Sequence, residues 1–223
     1  MIKADEIIRT KRKTLAIQIS SDGYVTVRAP LNTSQKRIDE AVLNAQGWLE
    51  KQLARLERDR QKNTVFISDG SSLTLFGKAY TIRFTDSVSG IKDSEILLDR
   101  NGDISSQFIF LLKKIALPRL TERTAYFSRV TGLNPTSVKV TSAKTRWGSC
   151  SAKKSINYSV YLALCPSDVI DYVIVHELCH IKHMDHSPDF WNEVGKYIPD
   201  YKTRRKWLKD NRNIMNIAEP PLS

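Results

Sequence analysis

The chain has 223 residues and carries 35 Lys and Arg against 24 Asp and Glu, a formal net charge of +11. At 41% hydrophobic it can bury a real core, as one compact unit or two small domains. No apolar run approaches the roughly 18 residues of a membrane span, and the charged start MIKADEIIRTKRK lacks the apolar centre of a secretory signal. Cys150, Cys165 and Cys179 have no framework spacing and fit reduced thiols, so a cytoplasmic protein without a membrane segment is expected.

The first hundred residues read mainly as β. TLAIQIS and YVTVRAP flank Ser21-Asp22-Gly23, a hairpin signal. One long amphipathic helix should follow over LNTSQKRIDEAVLNAQGWLEKQLARLERDR. Its cap lies within Asn32 to Ser34, and its apolar face holds Ile38, Val42, Leu43, Ala45, Trp48, Leu49 and Leu53. SLTLFGKAYTIRFTD reads as a second hairpin turning at Gly77-Lys78, and EILLD as a short strand. The polar stretch from Asn101 to Ser106 suggests a domain boundary, giving a β-rich region over 1–105 and a second domain over 106–223.

The second half opens with a helix over about 107–130, which Pro118 should kink or split. SVKVTSAK reads as a strand and TRWGSCSAKKS as a turn-rich connection. SINYSVYLAL alternates, with Ile156, Tyr158, Val160, Leu162 and Leu164 on one side, so it reads as a half-buried strand with a polar face. Pro166-Ser167 begins the helix DVIDYVIVHELCHIKH, apolar nearly all round and hence destined for the core. Helices over about 188–197 and 201–210 follow, and the tail NIMNIAEPPLS carries few ordering signals. The fold class expected is α+β.

All four histidines fall in HELCHIKHMDH: His176, His180, His183 and His186. Residues four apart stack on one helix face, so His176 and His180 can aim at one ion at roughly 2.0–2.1 Å each. Glu177, one step round the helix, can reach a water beside that ion rather than the ion itself. His183 would stand about 10 Å along a continuing helix from His176, too far to join the pair. Ser187-Pro188 looks like an N-cap followed by Pro at the first helical position, so the chain must bend between about 182 and 187. A bend there lets His186 fold back as third ligand. Glu193, Cys179 and Cys150 are weaker alternatives, with Glu193 expected in solvent. The set, three His with a poised Glu, is that of a catalytic Zn2+ site with an open position.

The stretch from about Thr145 to Trp207 resembles the YgjP-like metallopeptidase family, through Arg146-Trp147-Gly148-Ser149-Cys150, the 172–180 segment and His186-Ser187-Pro188-Asp189-Phe190-Trp191. The same block is similar to the WLM and SprT-like proteases, groups with members that cleave proteins crosslinked to DNA. The resemblance implies a zincin-like catalytic domain with a buried active-site helix, zinc on His176, His180 and His186, and Glu177 as general base. Longer-known zincins of this spacing carry Gly where this chain has His183, so the turn must fall to Asp185 or His183 itself, which tolerate φ > 0 better than most residues.

The function expected is therefore hydrolysis of polypeptides by a metal-activated water. Arg146, His183, Tyr197 and Tyr201 are candidates for the oxyanion or the second sphere, and the strand over 156–164 is expected beside the site as a platform for extended substrate. Phe190 and Trp191 should pack the next helix on the metal helix. Basic residues gather in Lys11-Arg12-Lys13, along 34–62 and in YKTRRKWLKDNR, fitting solvated helix faces or a nucleic-acid partner. No zinc-finger, RRM or helix-turn-helix signature supports base-specific reading. A DNA-associated protease, a non-peptide amidohydrolase and a purely structural zinc site are the rival functions.

Overall fold

The computed structural model describes residues 1–20 and 23–218, so the Ser21-Asp22 turn of the first hairpin and the last five residues lie outside the described residues. The chain divides into two compact units, Met1–Asn63 and Thr64–Ser223.

In the first unit β1 (Glu6–Thr10), β2 (Ala16–Ile19) and β3 (Val25–Pro30) form a sheet in the order β1-β3-β2. β3 runs antiparallel to β2, with Ile17 opposite Val27, as the hairpin pattern requires. Its other edge pairs in parallel with β1, a strand hidden in the charged N-terminus. The alternating residues Val25, Val27 and Ala29 are buried against Ile38, Val42 and Leu49. The expected single helix is two, α1 (Gln35–Asn44) and α2 (Gln46–Asn63), with Ser34 accepting from the Arg37 N–H at 3.4 Å as N-cap. At the break Gln46 pairs with the backbone of Ile2, accepting at 2.8 Å and donating at 2.7 Å. Leu43 and Trp48, assigned to the apolar face, are 53% and 47% exposed. The interruption restarts the helical phase, which keeps Leu49 inside and turns Trp48 out.

In the second unit β4 (Val65–Phe66) is followed by β5 (Ser72–Leu75), β6 (Lys78–Thr85), β7 (Gly90–Lys92) and β8 (Glu95–Asp99), the last four forming a sheet in the order β5-β6-β8-β7. The β5–β6 turn uses Phe76 and Gly77, both left-handed at φ 50° and 77°, which is type I′ geometry one residue before the expected position. α3 (Ile104–Thr131) starts on Asp103, which accepts from the Ser106 N–H at 3.0 Å, and ends on left-handed Gly132. Pro118 lies inside it without dividing it. The polar stretch at 101–106 is thus the capped start of a helix within one unit. Ile82, Ile96 and Leu98 of the sheet share a core with Phe108, Leu111 and Leu112 of α3, which sets the division at 63/64 rather than at 105/106.

The turn-rich 145–155 connection contains a strand. β9 (Ser137–Thr141), β10 (Gly148–Cys150) and β11 (Ser155–Ser159) form a sheet in the order β10-β11-β9. The strand expected over 155–164 ends at Ser159, and Val160–Leu164 is a 3-10 turn. Tyr161 and Ala163, placed on a polar face by alternation, are fully buried because that turn is inside the core. α4 (Ser167–Cys179), α5 (Pro188–Tyr197) and α6 (Tyr201–Asp210) complete the unit. β12 (Ile217–Ala218) then pairs in parallel with β4, so part of the tail is held by backbone hydrogen bonds. Among the described residues no helix is long and apolar enough to cross a membrane.

Candidate metal centre and active site

α4 is buried on nearly every side: Val169, Ile170, Val173, Ile174, Val175, Leu178 and Cys179 are all in the core. It therefore holds its polar residues on a rigid axis. His176 lies in its last turn and His180 is its C-cap, so the helix stops about four residues sooner than its apolar pattern suggested. The end tightens, with the N–H groups of Lys182 and His183 both donating to the Cys179 carbonyl, at 3.1 and 2.9 Å. Among the described residues no left-handed φ falls between 180 and 188, so neither Asp185 nor His183 turns the chain that way. Ser187 caps α5, accepting from the Phe190 N–H at 3.5 Å, with Pro188 at the first helical position.

This bend brings His186 back. Nε2 of His176 lies 3.3 Å from Nε2 of His180 and 3.2 Å from Nε2 of His186. One ligand atom from each of the three lies within 4.8 Å of the others. A tetrahedral ion bound at roughly 2.0–2.1 Å holds its nitrogens about 3.3–3.4 Å apart, so the two spacings from His176 fit a divalent cation. The donor set fits too. Nδ1 of His180 donates to the His183 carbonyl at 2.9 Å, which leaves the Nε2 lone pair facing the centre. Burial, followed by the neighbouring imidazoles and Arg205, pushes His176 down to about 3, so it is a neutral donor at working pH.

Phe190 is the floor of the cluster. It is fully buried, stacks on His180 at 4.5 Å, and meets His176 and His186 edge-on at 4.9 Å each. Trp191 stacks on His186 at 5.6 Å and on Tyr201 at 5.2 Å. Both aromatics thus touch the imidazoles themselves as well as packing α5 on α4.

Glu177 is 4% exposed, and its Oε2 is buried with no hydrogen-bond partner among the described residues. Burial pushes its carboxyl up to about 8, with Arg146 pulling in the opposite direction. Gly148 on β10 lies against it, where an added Cβ would come 2.6 Å from Oε1 and 2.7 Å from Cγ. β10 is an edge strand, whereas β11, the strand expected beside the site, is central and paired on both sides.

The other expected site residues separate. His183 stays outside the cluster and meets it only through its carbonyl. Tyr197 donates to Oε1 of Glu193 at 3.4 Å, and Tyr201 stacks on Trp191. Glu193 is neither a member of the cluster nor solvated. It is 6% exposed, and its Oε2 accepts from Lys182 at 2.9 Å and Lys196 at 3.0 Å, which hold its carboxyl down at about 2. Cys179 and Cys150 also fall outside the cluster. Gly148 and Tyr172 were not singled out in the sequence as site residues. Tyr172 precedes His176 by one turn, its ring 5.7 Å away, and the 172/176/180 spacing on one helix face was the available signal.

Residues 13–211 match the model of the YgjP-like, metallopeptidase domain family. Among solved structures, the metallopeptidase zymogen of Pyrococcus abyssi abylysin is 21% identical with a TM-score of 0.39, over 44% of this chain and 99% of that one. The zymogen of Methanocaldococcus jannaschii jannalysin is 23% identical with a TM-score of 0.36, over 40% of this chain and 91% of that one. No curated protein matches. The family match spans most of the chain and includes every residue of the histidine cluster, and so this protein belongs to the YgjP-like metallopeptidase family.

Proposed function

We propose that the protein is a zinc peptidase in which His176, His180 and His186 hold the ion and Glu177 is the general base. The observation that carries this reading is the placing of the His180 and His186 Nε2 atoms at 3.3 and 3.2 Å from that of His176, beside a buried carboxylate oxygen without a hydrogen-bond partner among the described residues. Zinc bound there would act as a Lewis acid on the scissile carbonyl and bring water into its acidic range. Glu177 takes the proton of the attacking water at Oε2 and delivers it to the leaving amide nitrogen. Arg146 supplies positive charge toward Glu177 and the developing oxyanion. The free edge of β10 supports pairing with an extended polypeptide through main-chain hydrogen bonds. Phe190 fixes the ligand rings and excludes water from beneath them. The cluster and its supports all lie within 106–223, inside the second compact unit, which we take as the catalytic one.

The choice of zinc over magnesium, calcium or manganese rests on three imidazole donors with no carboxylate among them. The experiment is Glu177→Gln with metal content and hydrolysis of an unfolded protein measured together. Retained zinc with hydrolysis lost supports the reading. Full hydrolysis by the variant, or an ion bound without His186, overturns it.

A further inference from the structure

A cleft of about 490 Å³ opens beside Glu177 and His176, and its far wall is α6 with the turn that follows. Arg205 and Lys209, four apart on α6, share a helix face, and Arg212 comes just beyond. All three line the cleft. Its remaining surface is largely apolar, with Trp147, Tyr172, Leu208 and Met215, and among the described residues Glu177 is the one acid that lines it.

Two of the cations are fixed in place. The Arg205 guanidinium lies 4.8 Å from the Trp191 ring, and Arg212 donates to the Thr145 carbonyl at 3.2 Å. An arginine engaged in this way keeps further N–H donors for a ligand. The acids flanking the helix are engaged by other partners: Asp200 pairs with Arg204 at 3.0 Å, and Asp210 with Lys206. The fixed cations therefore face an apolar hollow beside the proposed general base, with no acid of α6 lining it.

We propose that this cleft is a carboxylate-selecting substrate subsite, in which an Asp or Glu of the bound polypeptide, flanked by an apolar residue, is held by Arg205, Lys209 and Arg212. This rests on the peptidase reading above and names the substrate class. The apolar neighbour covers Trp147, Leu208 and Met215, while the carboxylate meets donors in a part-desolvated hollow, where a charged hydrogen bond outweighs one at an open surface.

The test uses the full-length, zinc-loaded chain and one apolar peptide series with Glu, Gln or Lys at a single position, each with a free or an amidated C-terminus. Binding of the same labelled peptides to the Glu177→Gln protein is measured in parallel. The expected result is kcat/KM and affinity about tenfold higher for Glu than for Gln, higher still over Lys, with the gap narrowing as salt rises. The double reversal Arg205→Glu, Lys209→Glu should invert that order while zinc content stays the same. If amidation rather than the internal Glu governs binding, the same cations read a chain end and the carboxylate chemistry stands. Equal values for Glu, Gln and Lys, or an unchanged order in the double reversal, overturns the proposal. So does displacement of every peptide alike by a single-stranded oligonucleotide, which would assign the basic wall to nucleic acid. If no peptide is cut at all, the peptidase reading fails, and the binding measurements still decide on the subsite.

Discussion

Gly148 and Glu177 are in such close contact that a single methyl group cannot be placed between them. A Cβ at 148 would meet Oε1 at 2.6 Å, Cγ at 2.7 Å and Cδ at 2.8 Å. The glycine of the Trp147-Gly148-Ser149 run is therefore required by the carboxylate beside it. Gly148→Ala should displace Glu177 while leaving the histidines alone. Hydrolysis is expected to fall about 100-fold, the order that a displacement of about 1 Å costs, with zinc content unchanged. Loss of zinc in this variant would show that the strand supports the ion rather than the base.

Glu177 also sets a pH dependence in metal-stripped protein. Burial raises its folded value to about 8, so its contribution to stability is present at low pH and is lost as pH climbs toward 8. His176, lowered to about 3 by burial, acts oppositely: its contribution is lost as pH falls toward 3 and complete above its unfolded value of about 6.5. Between pH 6.5 and 8 only the Glu177 decline remains. Melting temperature of the chelated protein should fall across that interval, and Glu177→Gln should flatten the fall. Equal slopes for the two proteins would contradict the assignment.

Phe190→Ala removes a fully buried ring that touches all three imidazoles. The cost expected from such a truncation is about 3–5 kcal/mol in urea unfolding. Zinc affinity should drop as well, because the rings lose their shared support. A destabilised variant with wild-type affinity would mean the loop alone positions His186.

Glu193→Ala should loosen the turn after α4, since Lys182 and Lys196 both reach that carboxylate. Zinc affinity is expected to weaken about tenfold, the lower end for groups that orient ligands indirectly, as read by competition with a chromogenic chelator. Unchanged affinity would show that Lys182 is not needed to hold the turn.

His183→Ala, by contrast, should alter zinc affinity by no more than about twofold. What His180 meets at 183 is a main-chain oxygen, which alanine keeps. A loss as large as that of His180→Ala would show that the His183 ring itself takes part.

The convergence of His176, His180 and His186 could be read from sequence because helix periodicity and the Ser187-Pro188 restart are local signals. α5 and α6 fall over 188–197 and 201–210, where caps and apolar spacing put them. What escaped were features set by neighbours distant in sequence. β1 is a strand because β3 offers it an edge, and the break at Ala45 goes with Gln46 reaching Ile2. Tyr161 and Ala163 lie inside because the 3-10 turn is surrounded, which alternation alone cannot reveal. Gly148 looked like an ordinary turn glycine until Glu177 stood next to it. Glu193, polar on an amphipathic helix, was assigned to solvent because lysines from two elements close over it only in three dimensions.

β4 and β12 lie at opposite ends of the second unit and pair in parallel, Val65 beside Ile217, with the Val65 N–H donating to the Asn216 carbonyl at 2.9 Å. Paired strands run about 4.8 Å apart, so entry to and exit from this unit are neighbours. A module with adjoining ends can be spliced into a surface loop of a host protein, or have its termini relocated, without stretching its linkers. Circular permutation that joins 64 to 218 through a short tether should therefore preserve the histidine cluster.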